Sequence, residues 1–247
     1  MSGTPVEIRT ADGVVDARTF KPAGAGPHPG AILFYDAFGG RPAIWGMAQR
    51  LAAHGYFVLV PNLFYRGGAG IQFDPLRAFA EPETRARLMG LMGAASAPAA
   101  LASDVAAYLD FLDANRDVAS GGKGTFGYCM GGRCAAVAAG LHPARIAAAA
   151  SFHAGRVVTD APDSPHLLAA KAKARLYFAH ADHDDSMPPE AVATLEGALR
   201  GVGADFTSEL YQGARHGFAV PDSDVFDERA AERHWRALTG LFAAALR

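Results

Sequence analysis

Apolar runs and polar breaks alternate along this chain in two periods. Residues 6–9 and 14–20 flank an Asp12-Gly13 pair, a tight-turn signal that predicts an N-terminal hairpin. Residues 31–35 (AILFY) and 56–60 (YFVLV) are unbroken apolar runs, as strands covered on both faces require, and Pro61 stops the second. Further strands are predicted at 123–127, 146–152, 175–179 and 207–211. Helical spacing fills the gaps: 44–54, closed by Gly55, the Ala-rich 133–141, 188–200 and 224–246. In 101–112, Leu101, Val105, Tyr108, Leu109 and Leu112 fall on one side.

Repeated strand–helix units predict an α/β fold with a mostly parallel central sheet, helices on both faces and an antiparallel hairpin at the N-terminus. Neither a repeat nor a linker divides the pattern, so a single domain over 1–247 is expected. Two stretches break the alternation. Residues 64–98 are long and interrupted by Gly and Pro, and they carry Arg66, Arg77, Arg85 and Arg87, which suits a partial lid. Residues 155–170 read as a loop rich in Pro, Asp and His. In an open α/β sheet both decorate the ligand edge beyond the strand C-termini.

Composition narrows the function. The chain has 247 residues, half of them hydrophobic and 19% charged, enough for a large core and against bulk disorder. A net charge of −2 leaves no basic surplus for phosphates, so no nucleic-acid partner is expected. The start lacks a basic region followed by an apolar stretch, and the longest uncharged run, 88–103, is too short and too weakly apolar to span a bilayer. The two cysteines, Cys129 and Cys134, are five apart. On one helix, at about 1.5 Å rise per residue, they sit beyond about 7 Å, too far for a disulfide. No membrane partner and a cytoplasmic location with reduced thiols are therefore expected.

Gly127-Tyr128-Cys129-Met130-Gly131-Gly132 follows the strand at 123–127 and carries the strongest chemical signal. It is the G-x-S-x-G nucleophile elbow with cysteine for serine. The sharp strand-to-helix turn strains the nucleophile's backbone and needs small neighbours. It also puts the residue at a helix N-terminus, where the macrodipole favours an anion. The plainer reading is a small buried cysteine in a Gly-rich turn. Chain order argues for chemistry: the strand at 175–179 leads into His180-Ala181-Asp182-His183-Asp184-Asp185-Ser186-Met187-Pro188. The strand at 207–211 leads into Gln212-Gly213-Ala214-Arg215-His216-Gly217-Phe218. Nucleophile, acid, then histidine is the order of an α/β-hydrolase. His216 is then the base, and an acid among Asp182, Asp184 and Asp185 orients it.

GYCMGG, DHDDSMP and YQGARHGF, with Phe34-Tyr35-Asp36-Ala37-Phe38-Gly39 upstream, resemble the dienelactone hydrolase family, a cysteine branch of the α/β-hydrolases. The resemblance covers essentially the whole chain. It implies hydrolysis of a small ester or lactone through a Cys–His–Asp triad without metal or organic cofactor. Carried onto this sequence, it makes Cys129 the nucleophile, His216 the base and Asp184 the acid, four residues before Pro188. Asp182 is the competitor. The backbone amides of Ala37 and Met130 would form the oxyanion hole.

The resemblance also marks departures. The family's Glu at the nucleophile is Asp36 here, one methylene shorter. Val220 stands where the family has a substrate-binding arginine four residues after the histidine, and Gly217 replaces a serine. Arg85 is taken from the four lid arginines as the substrate anchor, with Asp36, Phe38 and His153 as further substrate contacts. His153 reads equally as a strand cap. Two other classes stay open: a metal site built on His180-x-x-His183 with the nearby aspartates, and a redox-sensing thiol. A general carboxylesterase or thioesterase is the nearer alternative, and monomer and homodimer are both compatible.

Overall fold

The computed structural model describes residues 3–246. β1 (Thr4–Thr10) and β2 (Gly13–Phe20) form the antiparallel hairpin, with Ile8 opposite Val15 and both buried. β3 (Gly30–Phe34) and β4 (Phe57–Pro61) are buried at every position, as their unbroken apolar runs require. α1 (Pro42–Ala53) lies between them and starts on a proline, where the missing N–H has no intrahelical partner to lose. α2 (Pro82–Ser96) and α3 (Pro98–Asp113) follow, then β5 (Lys123–Tyr128), α4 (Met130–Leu141) and β6 (Ile146–Phe152). α5 (Pro165–Ala169), β7 (Arg175–His183), α6 (Pro189–Gly201), β8 (Phe206–Arg215) and α7 (Glu228–Ala245) complete the chain.

The eight strands form one sheet in the order β1-β2-β4-β3-β5-β6-β7-β8. β1 pairs with β2 and β2 with β4 antiparallel, and every pairing from β4 to β8 is parallel. This is the mostly parallel sheet with an N-terminal antiparallel hairpin expected from the alternation. From β3 the chain steps outward to β4, then returns across to β5. The order therefore reverses between β3 and β5, and the crevice beyond the C-termini of those two strands is where an open sheet binds ligands.

Element ends differ from the sequence reading in informative places. β7 and β8 run past their expected ends at 179 and 211, to His183 and Arg215, through a register shift between Ala181 and His183. The polar tail of each apolar run is still paired, because a parallel ladder needs only backbone. The stretch at 64–98 is not loop throughout: it holds a 3-10 turn, Tyr65–Gly67, and the whole of α2, of which only Leu88 and Ala95 are buried. The stretch at 155–170 contains the short α5. α7 starts later than residue 224, at a cap where Asp227 Oδ1 accepts the Ala230 N–H at 3.0 Å. Among the described residues no single helix is long and apolar enough to cross a membrane. α2 and α3 reach that length only together, across a 65° bend.

Candidate active site

The elbow forms because two glycines let three backbones meet. A Cβ on Gly127 would lie 2.3 Å from the Gly131 carbonyl oxygen, and one on Gly131 would lie 2.1 Å from that of Phe34. With those positions empty, β5 turns directly into α4 and Cys129 sits on the corner at φ 54°, ψ −120°, a conformation that L-residues rarely adopt. Its N–H donates to the Phe152 carbonyl at 3.1 Å, which anchors the corner to β6. The Cys129 side chain is partly exposed, whereas Cys134 is fully buried and its thiol is pushed up to about 11 by burial.

His216 follows β8 directly and sits between a carboxylate and the thiol. Its Nδ1–H donates to Asp184 Oδ2 at 2.6 Å with Ser186 Oγ 3.5 Å from the same nitrogen, and Cys129 is a further hydrogen-bond partner. Burial works against a charged ring here. The charge of Cys129 and the bonds to Asp184 and Cys129 outweigh it, and the imidazole is pushed up to about 10. Asp184 is nearly buried, which would raise its pKa, yet its bond to His216 and two hydrogen bonds from Ser186 hold it below the usual carboxylate range. Those two come from the Ser186 N–H at 2.9 Å and hydroxyl at 2.5 Å, both to Oδ1. Each oxygen of Asp184 is thereby fixed.

The competing acid is turned elsewhere. Asp182 Oδ2 accepts from Gln212 Nε2 at 2.5 Å and from the Gly213 N–H at 2.9 Å, bonds that join the ends of β7 and β8. Asp185 lines the cleft, and among the described residues the carboxylate bonded to His216 is that of Asp184.

The cleft holding Cys129, Asp184 and His216 has a volume of about 570 Å³. Phe38, Phe79, Met89, Met92 and Val220 supply much of its wall. A hollow of about 630 Å³ between the hairpin and residues 70–72 contains none of the three. Met130 begins α4, where the first amides have no intrahelical acceptor. Ala37 lies in the turn after β3, and among the described residues no acceptor meets its N–H. Both amides belong to residues lining the cleft.

Other expected contacts fall differently. Asp36 lines the cleft, but its carboxylate is taken by Arg41, at 2.6 and 2.8 Å, and by the Phe38 N–H at 2.9 Å. His153 lines the cleft as expected, yet it is buried at φ 39°, its ring 5.2 Å from that of His216 and neither nitrogen hydrogen-bonded. Burial holds it well below the ordinary histidine range, so the ring is neutral. Arg85 does not line this cleft: it flanks a shallow hollow beside Phe79, Pro82 and Met89. The cations on the cleft are instead Arg41, Arg133, Arg156 and Arg215. Arg133 donates to Ser96 Oγ at 3.1 Å and to the Gly155 carbonyl at 3.4 Å, and neither it nor Arg156 has a carboxylate partner among the described residues.

Sequence reasoning passed over Ser186, Arg41, Arg133 and Arg156. Ser186 stood inside a quoted motif, and Arg133 stands one turn beyond Cys129 on α4, a spacing that does point at the cleft. As for metal binding, His180 turns inward, its ring parallel to Phe178 and its Nε2 3.1 Å from Ser208 Oγ. Among the described residues no three His, Cys, Asp or Glu side chains gather as a metal site needs.

A model of the dienelactone hydrolase family matches residues 15–246. A candidate carboxymethylenebutenolidase of Methylorubrum extorquens is 27% identical over 241 residues, covering 96% of this chain and 79% of that protein. One from Salmonella typhi is 31% identical over 229 residues, covering 90% of this chain and 79% of that protein. Among solved structures, a candidate dienelactone hydrolase of Klebsiella pneumoniae superposes with a TM-score of 0.81 at 24% identity, covering 97% of each chain. That likeness speaks for the fold.

Proposed function

The chain belongs to the dienelactone hydrolase family and is a hydrolase of ester or lactone bonds, and we propose that Cys129, His216 and Asp184 perform the hydrolysis. The substrate is a small activated ester or enol-lactone. The observation that carries the reading is a single imidazole bonded on one side to a buried carboxylate and on the other to a thiol at a strained corner.

The reaction runs in two halves. His216 takes the Cys129 thiol proton, the sulfur attacks the carbonyl carbon, and the carbonyl π-electrons move onto oxygen, which the Ala37 and Met130 amides hold. The tetrahedral intermediate collapses, the C–O bond to the leaving group breaks, and His216 returns a proton to the departing oxygen. An acyl-thioester remains. His216 then takes a proton from water, hydroxide adds to the thioester carbonyl, and the carbon–sulfur bond breaks to free the acid and the thiol. Thiolate competes with the leaving group for expulsion, so enols and phenols are favoured over simple alkoxides. Neither half uses a metal or organic cofactor.

The same reading assigns specificity. Phe38, Met89 and Met92 face the apolar part of the substrate. Arg133 and Arg156, cations without carboxylate partners, replace both Arg85 and the arginine missing at Val220 as the groups that meet a negative end. The neutral ring of His153 backs His216. Residues 64–98 act as a partial lid, since Pro75, Phe79, Met89 and Met92 line the cleft from that stretch.

Steady-state hydrolysis of dienelactone and p-nitrophenyl acetate by wild type and Cys129→Ala tests this. The reading expects turnover by wild type and a loss of about 10⁴-fold or more in the variant, the scale on which removing a nucleophile acts. Equal activity in both proteins would remove Cys129 from the mechanism.

A further inference from the structure

Arg41 makes more hydrogen bonds than any other side chain around the cleft, and the reaction above leaves it without a task. It stands just ahead of α1 with its side chain 6% exposed. Nε and Nη2 donate to Asp222 Oδ2 and Oδ1 at 2.7 and 2.8 Å. Nη1 and Nη2 donate to Asp36 Oδ1 and Oδ2 at 2.6 and 2.8 Å, and Nη1 also to the Gly39 carbonyl at 3.2 Å. A guanidinium has five N–H bonds, and all five are used. Two carboxylates on one cation leave the cluster net negative, so Arg41 is no anchor for a substrate anion although it lines the cleft.

What the cluster joins gives it a purpose. Asp36 Oδ1 also accepts the Phe38 N–H, so the turn around Ala37 is wound on a carboxylate whose orientation Arg41 sets. Gly39, on the same turn, is held by the same guanidinium. Asp222 belongs to the loop that follows His216, a segment 181 residues away in sequence. Resting on the cysteine-hydrolase reading, we infer that Arg41 is a positioning residue that locks the oxyanion-hole turn at Ala37 to the histidine loop. The amide that receives the developing charge thereby stays in register with the base. Lysine cannot replace it, since an ammonium cannot hold two carboxylates in bidentate geometry. Without the guanidinium, the 5%-exposed carboxylate of Asp36 is a buried, uncompensated charge beside the position of the oxyanion.

Arg41→Lys and Asp222→Asn test the inference with reagents that need different parts of the site. Alkylation by iodoacetamide displaces iodide from carbon and builds no oxyanion. Turnover of p-nitrophenyl acetate, and inhibition by a trifluoromethyl ketone whose carbonyl accepts the thiolate, both build one. The inference expects kcat to fall about 100-fold in Arg41→Lys and about 10-fold in Asp222→Asn with KM little changed. Affinity for the ketone should fall by similar factors, while the alkylation rate of Cys129 stays within about twofold. Asp222 is 38% exposed, so Asp222→Asn carries the test should Arg41→Lys not fold. Turnover unchanged in the folded variants, or alkylation falling in step with turnover, would overturn it. Iodoacetamide labelling of wild type that left turnover intact would instead overturn the assignment of Cys129.

Discussion

An imidazole that passes protons needs one nitrogen held and the other facing the chemistry, and His216 is built that way. Asp184 takes Nδ1–H with one oxygen, while its other oxygen is fixed by Ser186. The arrangement has a consequence for stability. An unfolded histidine titrates near 6.5, whereas the folded ring is raised to about 10. Below about pH 6.5 both states are charged and the ring's full contribution is present. Between the two values the folded state holds the extra proton, so stability drains away as pH rises, and above about 10 the contribution is gone. The Tm advantage of wild type over His216→Gln should therefore shrink steadily from pH 6.5 to 10. An advantage that stays constant across that window would contradict the raised pKa. The meeting of Cys129 and His216 in one cleft was legible in the sequence, because glycines in loops after strands leave few structural reasons for either residue. Asp184 could not be separated from Asp182 by spacing alone, since three acids fall within four residues and only the paired ends of β7 and β8 show which one turns toward the ring.

Two elements meet at the elbow, and its glycines are a matter of volume. A methyl on Gly131 would press on the carbonyl oxygens of Phe34 and Tyr35, at 2.1 and 2.3 Å, where only backbone can yield. Gly131→Ala should cost about 3 kcal/mol, the upper end for overpacking, and lower Tm by about 10 °C. Gly197→Ala on α6, with nothing within 4 Å of the added carbon, should instead hold or raise Tm. Thermal melts of both variants check this, and an undisturbed Gly131→Ala would contradict the close approach of α4 to β3. Legibility follows the same physics. β3 and β4 were readable because strands buried on both faces must be apolar throughout. α2 was not: it buries only Leu88 and Ala95, so tertiary contact imposed no helical stripe on its sequence. The five-residue α5 is too short to show one.

At the scale of the whole molecule, the site depends on where the strand order turns back. β3 and β5 are neighbours whose connections leave in opposite directions. The Ala37 turn and the Cys129 corner therefore flank one crevice, and β7 and β8 deliver Asp184 and His216 to the same edge. This convergence was legible in outline, because strand–helix alternation with chemistry after each strand admits few topologies. The full lining of the cleft was not, because a side chain such as Arg156 reaches it through packing that no spacing encodes, while Arg85 lines a separate hollow. The central claim is a covalent intermediate on one sulfur. Rapid quenching of wild type with p-nitrophenyl acetate in acid, followed by peptide mass spectrometry, tests it most directly. The account predicts an acetyl group on Cys129 that forms within the first turnover and disappears as substrate is exhausted. Sustained turnover with Cys129 unmodified at every quench time, or acetylation of another side chain alone, would contradict it.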